Sequence, residues 1–580
     1  MRQLTLLLFV TLALPIDIGA DDDAPIDLIL HNARIVTVDA RFSIARALAI
    51  RGERIAVVGD DKAILALKGA KTRVVDLAGR MVLPGLYDSH VHPTSAATSE
   101  LTEPIPVLRS LADVFTHIEE KTRVLPEGKW IVLRFAFPTR LQEGRFPTRA
   151  ELDRVAPKHP VLYNAGPASI VNSMGLKVSG IGRDTPNPAN GVVVRDPKTG
   201  EATGMLRNAS GLLKGLPGGG AAGFDARRDA VKKLFARYNA HGITSVADRN
   251  GSRDGLDLYQ SLLDRQELTV RLNVSRGVSP YGSREEIARR LDALPGKDRK
   301  GGPTGTGGVW IRIGPIKFFL DGGMLNGTAY MRTPWPKGPT YQIIEDDYRG
   351  LLFVEPDQVK MVVEEAVRRG WQVTAHTAGE AAMDVLLDAY DFVDRQKPIK
   401  DLRLCITHAN FPSQRNLERC RRLGVCADVQ PAWLWKDGDT LNRVLDDKRM
   451  RWFQPFKSWL QYTTVGGGSD HMIKLDPLEA TNPWDPWLGM YVAVSRKTEG
   501  GRVHRRDERL TREQALRLYT INNAYLNREE QDKGTLEPGK LADFIVIDRD
   551  YLRCPEDDIR QVRVLSTYVG GKKVYGIKIK

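Results

Sequence analysis

Residues 86–93 read LYDSHVHP, directly after the apolar stretch Met81-Val82-Leu83-Pro84-Gly85. In an extended strand successive side chains alternate between faces, so Asp88, His90 and His92 point the same way where the strand meets a loop. Neutral imidazole is a common ligand for zinc and similar divalent cations, and two at this spacing can grip one ion from one strand. The chain spends only ten histidines on 580 residues. An HxH alone does not separate a metal pair from two ordinary structural histidines, so the rest of the chain must decide.

Downstream, strand-like and helical runs alternate. Residues 243–246, 270–274, 309–313, 372–375, 402–406 and 425–429 are strand-like, and 356–370, 380–395 and 412–424 carry helical patterns. Repeated βα units over 84–533 predict an α/β fold, a (β/α)8 TIM-type barrel with insertions. The richest insertion, about 94–223, is placed over the pocket, where it sets specificity. Residues 26–83 and 534–580 instead hold short β-like runs broken by Asn32, Arg51-Gly52, Gly59-Asp60 and Gly570-Gly571. They predict one small composite β-sandwich domain built from both ends of the chain. The glycine-rich runs 216–220 and 301–308 lack the Lys-Ser/Thr of a phosphate loop and read as surface loops.

Residues 1–20 combine a basic start, an apolar run too short for a bilayer and small residues ahead of Asp21-Asp22-Asp23. This describes a signal peptide and predicts an exported protein, periplasmic or secreted, with no membrane span after cleavage. Cys405, Cys420, Cys426 and Cys554 form no zinc pair, and buried free thiols are the simplest state for them. The net charge of +13 comes in short groups without interleaved aromatics, so no nucleic-acid partner is predicted. Homo-oligomerisation is left open.

In a barrel of this type the strand C-termini converge on one rim, where the active site lies. His376 ends one strand-like run and His408 another; Lys317 follows 313–316, and Asp470 follows Gly466-Gly467-Gly468-Ser469. Each has an ordinary alternative. The two histidines would serve as satisfied core residues, Asp470 as a helix cap, and Lys317 as the partner of Asp321 or another nearby carboxylate in a salt bridge. His31, His117, His159, His241 and His504 lack this context and read as structural or surface. His471 either lines the pocket beside Asp470 or, as its strand neighbour, points away.

The segments PGLYDSHVHP, IKFFLDGG, VTAHTAGEAAMDVLLDAY, ITHAN, GGGSD and YTINNAYLNREEQDKGTLEPGKLADFIVID, in this order, resemble the amidohydrolase superfamily. The resemblance is strongest to its branch of YtcJ-like proteins and N-substituted formamide deformylases, and runs from about Ile26 to the C-terminus. It implies that His90, His92, His376, His408 and Asp470 bind one or two divalent metals, expected to be zinc. Lys317 falls where a carbamylated lysine bridges two metals, since a carbamate offers the anionic oxygens that an ammonium lacks. Asp470 would also be the catalytic proton carrier.

The activity implied is hydrolysis of a non-peptide C–N bond in a small-molecule amide or formamide by metal-activated water. An esterase or lactonase using the same site is the nearest alternative; a non-catalytic metal- or ligand-binding protein on this scaffold is the other. Three positions depart from the branch pattern. Pro167 stands where a Gly-His-Ala histidine is usual, Glu380 where His-x-x-Gly-Asp ends, and Thr407 where a glutamate precedes the histidine.

Overall fold

Eight parallel strands line up in chain order: β1 (Leu86–Val91), β2 (Ile243–Gly251), β3 (Arg271–Gly277), β4 (Ile311–Phe319), β5 (Val373–Thr377), β6 (Cys405–His408), β7 (Cys426–Val429) and β8 (Val465–Gly467). This computed structural model describes residues 24–218, 222–294 and 304–577, so the predicted signal peptide lies outside the described residues. The circle closes at the rim just beyond β8. There Asp470 donates its backbone N–H to His90 O at 2.7 Å, and His92 donates to His471 O at 2.8 Å. The predicted TIM-type barrel is therefore present, and its closure is made by the residues next to the HxH.

The glycine run before Asp470 is what permits that closure. A Cβ on Gly468 would stand 2.7 Å from His90 N and 2.9 Å from Asp88 Oδ1, and one on Gly466 would stand 2.0 Å from Asn523 Oδ1. Only hydrogen fits between the strands. Gly468→Ala is expected to cost about 1–3 kcal/mol by overpacking and to push β1 and Asp470 apart. Thermal unfolding and metal retention should fall together; an unchanged melting temperature would refute the close-approach argument.

Helices 253–264, 284–292, 356–368, 380–394 and 414–423 return the chain between strands. Their starts are locally encoded: Ser283 with Glu286, and Ser413 with Asn416, form reciprocal capping boxes that satisfy otherwise orphaned amides. The core strands are buried on both faces, yet they alternate: on β3, Leu272 and Val274 join an apolar cluster while Arg271, Asn273 and Ser275 are buried polar residues between them.

Between β1 and β2 lies a five-stranded sheet, ordered Val192–Arg195, Ala202–Arg207, Ala168–Val171, Val161–Ala165, Ile131–Leu133. Its side chains alternate between two buried faces. Leu162, Val171 and Leu206 pack with Trp130 and Leu176, whereas Tyr163, Ile170 and Met205 join the main core. It is tied to the loop after β4 by Asn326 Nδ2 donating to Ala165 O and by the Arg207–Glu345 ion pair. On the other side Thr139 and Arg140 bond Asp437, in the helix Pro431–Val444 that follows β7. The insertion thus spans the strand C-termini.

The chain ends form two further sheets of four and six strands. In the six-stranded sheet Met81–Pro84 lies between Arg34–Val36, parallel, and Phe544–Ile547, antiparallel, so both ends build one sandwich. Buried Arg271 on β3 holds Asp543 through Nε at 2.7 Å and fastens this unit to the barrel. All four cysteines are free. Among the described residues no helix is long and apolar enough to cross a membrane.

Candidate metal centre

β1 delivers His90 from its last turns, and His92 follows where the strand ends. Asp470 reaches both from beyond β8: its Oδ1 lies 3.2 Å from His90 Nε2 and 3.2 Å from His92 Nε2. Potential ligand atoms of these three residues all lie within 4.8 Å of one another. His408, ending β6, stacks on His90 at 4.9 Å between ring centres and meets His376 of β5 edge-on at 4.4 Å. The sequence-predicted histidines therefore share one cluster, with His90, His92 and Asp470 as its tightest group.

The two outer imidazoles are already oriented. His408 Nδ1 is 2.8 Å from Gln430 Oε1, which leaves its Nε2 for a ligand. His376 Nε2 is 3.2 Å from Gly322 O, which leaves its Nδ1. His408 and Asp470 both hold left-handed backbone, at φ 77° and 57°. For non-glycine residues that strain costs about 1–3 kcal/mol each, and it is typical of functional sites.

Lys317, on β4, is fully buried beside this cluster. No acceptor lies within hydrogen-bonding reach of its ammonium among the described residues; the Phe319 ring lies 5.2 Å away. The Asp321 salt bridge is not formed, because that carboxylate accepts backbone N–H groups from Tyr330, Ala378 and Gly379 at 2.9–3.0 Å. Burial lowers the Lys317 pKa to about 8, although Asp428 and Asp470 pull the other way. A larger neutral fraction is the condition under which a lysine amine can take up carbon dioxide.

Burial also holds the imidazoles neutral, the form that ligates metal. His90 and His408 are pushed well below their ordinary range, and His376 down to about 3, by desolvation first and then by Lys317 or neighbouring imidazoles. Burial raises Asp470, which strengthens it as a base, against the opposing pull of His92. A stability consequence follows. An unfolded histidine takes up a proton near 6.5, whereas folded His376 does so near 3. Below 6.5 the unfolded chain therefore binds more protons, and stability is lost as pH falls toward 3. Melting temperature in EDTA should drop between about pH 7 and about pH 5, with a shallower slope in His376→Asn. A flat profile would contradict burial of neutral imidazoles.

Several residues of this site were missed in the sequence. Asp428, at the end of β7, is completely buried with Oδ1 3.4 Å from His90 Nδ1, and Arg249 Nε stands 3.3 Å from its Oδ2. Gln430 donates to the same carboxylate. The signal was its place, one residue before the end of a strand-like run at the same rim. Asn482 donates to Asp470 Oδ2 at 3.2 Å and accepts from Trp433 and Arg140 at 3.1 Å each. His471 points away, bonded to the Tyr238 hydroxyl and Lys474 O at 2.7 Å.

The three departures lie around the cluster. Thr407 pairs hydroxyls with Thr374 at 2.6 Å inside the barrel, Glu380 accepts the Arg332 N–H at 3.1 Å, and Pro167 sits in the turn of the inserted sheet. The donor set fits a divalent cation: neutral imidazoles, carboxylates and two buried atoms without hydrogen-bond partners, His90 Nδ1 and Asp428 Oδ2.

A relative from Arthrobacter pascens, N-substituted formamide deformylase, is 31% identical over 559 residues, covering 94% of this chain and 97% of its own. YtcJ of Bacillus subtilis (strain 168) is 26% identical over 517 residues, covering 87% and 91%. A solved metal-dependent hydrolase from Pyrococcus horikoshii OT3, at 23% identity, shares the fold with a TM-score of 0.64 over 91% of this chain and 99% of its own. The amidohydrolase family model matches residues 73–575, so the chain belongs to the amidohydrolase family.

Proposed function

We propose that this protein hydrolyses the C–N bond of an N-substituted formamide or a related non-peptide amide. The observation that carries the reading is the convergence of His90, His92 and Asp470 within 4.8 Å at the mouth of an amidohydrolase barrel. His90, His92, His376, His408 and Asp470 would hold one or two divalent cations, zinc in the first instance, with carbamylated Lys317 bridging a pair. When bound, the cation supplies Lewis acidity toward the carbonyl and makes water nucleophilic near neutral pH.

The chain's own groups do the rest. Asp470 accepts the proton of the attacking water and returns it to the departing nitrogen. Asn482 fixes the Oδ2 of that carboxylate, leaving Oδ1 toward the histidines. Asp428 faces His90 and Gln430 holds His408, so each ring keeps one orientation. The inserted sheet covers the mouth and limits water. Export completes the reading, supported by the apolar run ahead of the acidic tract at residues 21–23; N-terminal sequencing of secreted protein tests it.

The test is formate release from N-substituted formamides, run beside matched acetamides, esters and lactones with zinc or manganese supplied. Turnover of formamides is expected. Turnover of esters or lactones alone would replace the reading with an esterase, and no turnover at all would leave a binding protein.

A further inference from the structure

A cavity of about 920 Å³ lies under the inserted sheet, outside the metal cluster. Its inner wall includes Thr139, Arg140 and Thr481. Arg140 is two hydrogen bonds from Asp470, through Asn482. The helix Pro431–Val444 runs along both places. Trp433, in its first turn, stacks on His408 at 4.9 Å. Asp437 then holds Arg140, and Thr440 donates to Thr139 O at 2.7 Å. Arg443 lines the cavity further on. These positions lie on one broad helix face, and because Arg443 Nη2 reaches back to the Thr440 hydroxyl, its guanidinium stands seven residues, or about 10 Å, along the helix from Trp433. The helix is a ruler leading out from the metal centre.

The cavity is apolar in its middle and cationic at its edge. Trp130, Leu133, Phe135 and Phe137 line it. Phe135 holds left-handed backbone at φ 49°, a strained state for an aromatic residue that a binding surface would explain. Each carboxylate in the lining is matched by a cation: Glu103 by Lys121, Glu479 by Arg109, Glu499 by Lys436 and Asp439 by Arg502. Three lining cations have no carboxylate partner among the described residues: Arg134, Arg443 and Lys474. Lys474 is engaged by Ile105 O at 2.9 Å. Among the described residues Arg443 meets only the Thr440 hydroxyl at 3.0 Å, and a Cβ on Gly144 would stand 2.8 Å from its Nη2, so the guanidinium lies beside that glycine. It is an exposed fork with an unused side.

We propose that this cavity takes the part of the substrate remote from the scissile bond, and that it selects a ring-sized apolar body ending in a carboxylate held by Arg443. The inference rests on the hydrolase reading for the word substrate, but the binding site itself does not. An N-aryl-alkyl formamide with a carboxylate at the far end of its ring has the matching sequence of parts. The reacting amide lies by Asp470, the ring passes Arg140 and the phenylalanines, and the anion reaches the end of the ruler. Arginine suits this end because its planar fork pairs with a carboxylate through two hydrogen bonds.

Two measurements test it. In the first, calorimetry compares 4-propylbenzoate with neutral 4-propylbenzamide on the whole protein, in wild type, Arg443→Gln and Arg443→Lys. The benzoate is expected to bind about tenfold tighter or better, Arg443→Gln to erase most of that difference, and Arg443→Lys to keep part of it. Equal affinity for both compounds, or a preference untouched by Arg443→Gln, overturns the proposal. In the second, formate release from 4-(formamidomethyl)benzoate and N-benzylformamide gives the ratio of kcat/KM, which should favour the benzoate and shrink in Arg443→Gln. If neither formamide turns over while Arg443-dependent benzoate binding persists, the reaction is wrong and the cavity assignment stands. Turnover of both with no carboxylate preference has the reverse meaning.

Discussion

Asp470→Asn is expected to lower kcat for formate release by about a thousandfold or more at saturating metal, the upper range for losing a general base and acid in one residue. Asparagine keeps the size of the side chain, and the Gly468 close approach and the Asp470 N–H bond to His90 O are backbone features that it leaves intact. The fold and the histidines should therefore persist, and most of the metal with them, while the proton carrier is gone. Steady-state kinetics beside metal analysis separates the two effects. A variant with kcat within tenfold of wild type would remove Asp470 from the chemistry.

His90→Ala should act at the earlier step and empty the centre. The ring lies between Asp428 and Asp470, 3.4 and 3.2 Å away, and stacks on His408. Removing it takes out the ring on which these three groups converge and leaves two buried carboxylates without their shared neighbour. Metal content of the purified variant is expected to fall to background, and kcat/KM by about a thousandfold or more. Chelated wild type should match it and recover when metal is returned; the variant should not. Lys317→Ala makes a finer distinction. If a carbamate bridges two ions, wild type purified with bicarbonate holds two per chain and the variant holds one. Full metal occupancy in His90→Ala would dismiss the proposed ligand set.

The barrel and the histidine cluster were legible because each rests on a local pattern. HxH declares its own shared face, and single polar residues that end apolar runs declare the rim. Asp428 was passed over, because it lies inside its strand-like run, one residue before its end, where a lone carboxylate carries no pattern of its own. Its meaning comes only from His90 and Arg249, which lie on other strands. Arg140 was harder still. Its partners Asp437 and Asn482 are 297 and 342 residues away in sequence, so nothing local marks it. The inserted sheet was foreseen only as an insertion, since its strand order departs from chain order and its faces are assigned by what the barrel mouth offers. That Lys317 does not pair with Asp321 was visible only once the three backbone amides on that carboxylate were in place.

The strand Met81–Pro84 runs straight into β1, and one of its two neighbours is Phe544–Ile547. His90 and His92 thus follow directly from a strand one of whose neighbours is made almost last. A growing chain carries an open β edge at Met81–Pro84 until residues 544–547 emerge, and Asp470 also arrives late to close the rim beside His90. Entropy penalises so long a loop only slowly with length, but the waiting time is real and exposes the edge to pairing with other chains. The candidate centre is therefore completed only once Asp470 has been made, and a chain that stops before residue 544 is marked by an unpaired edge on Met81–Pro84.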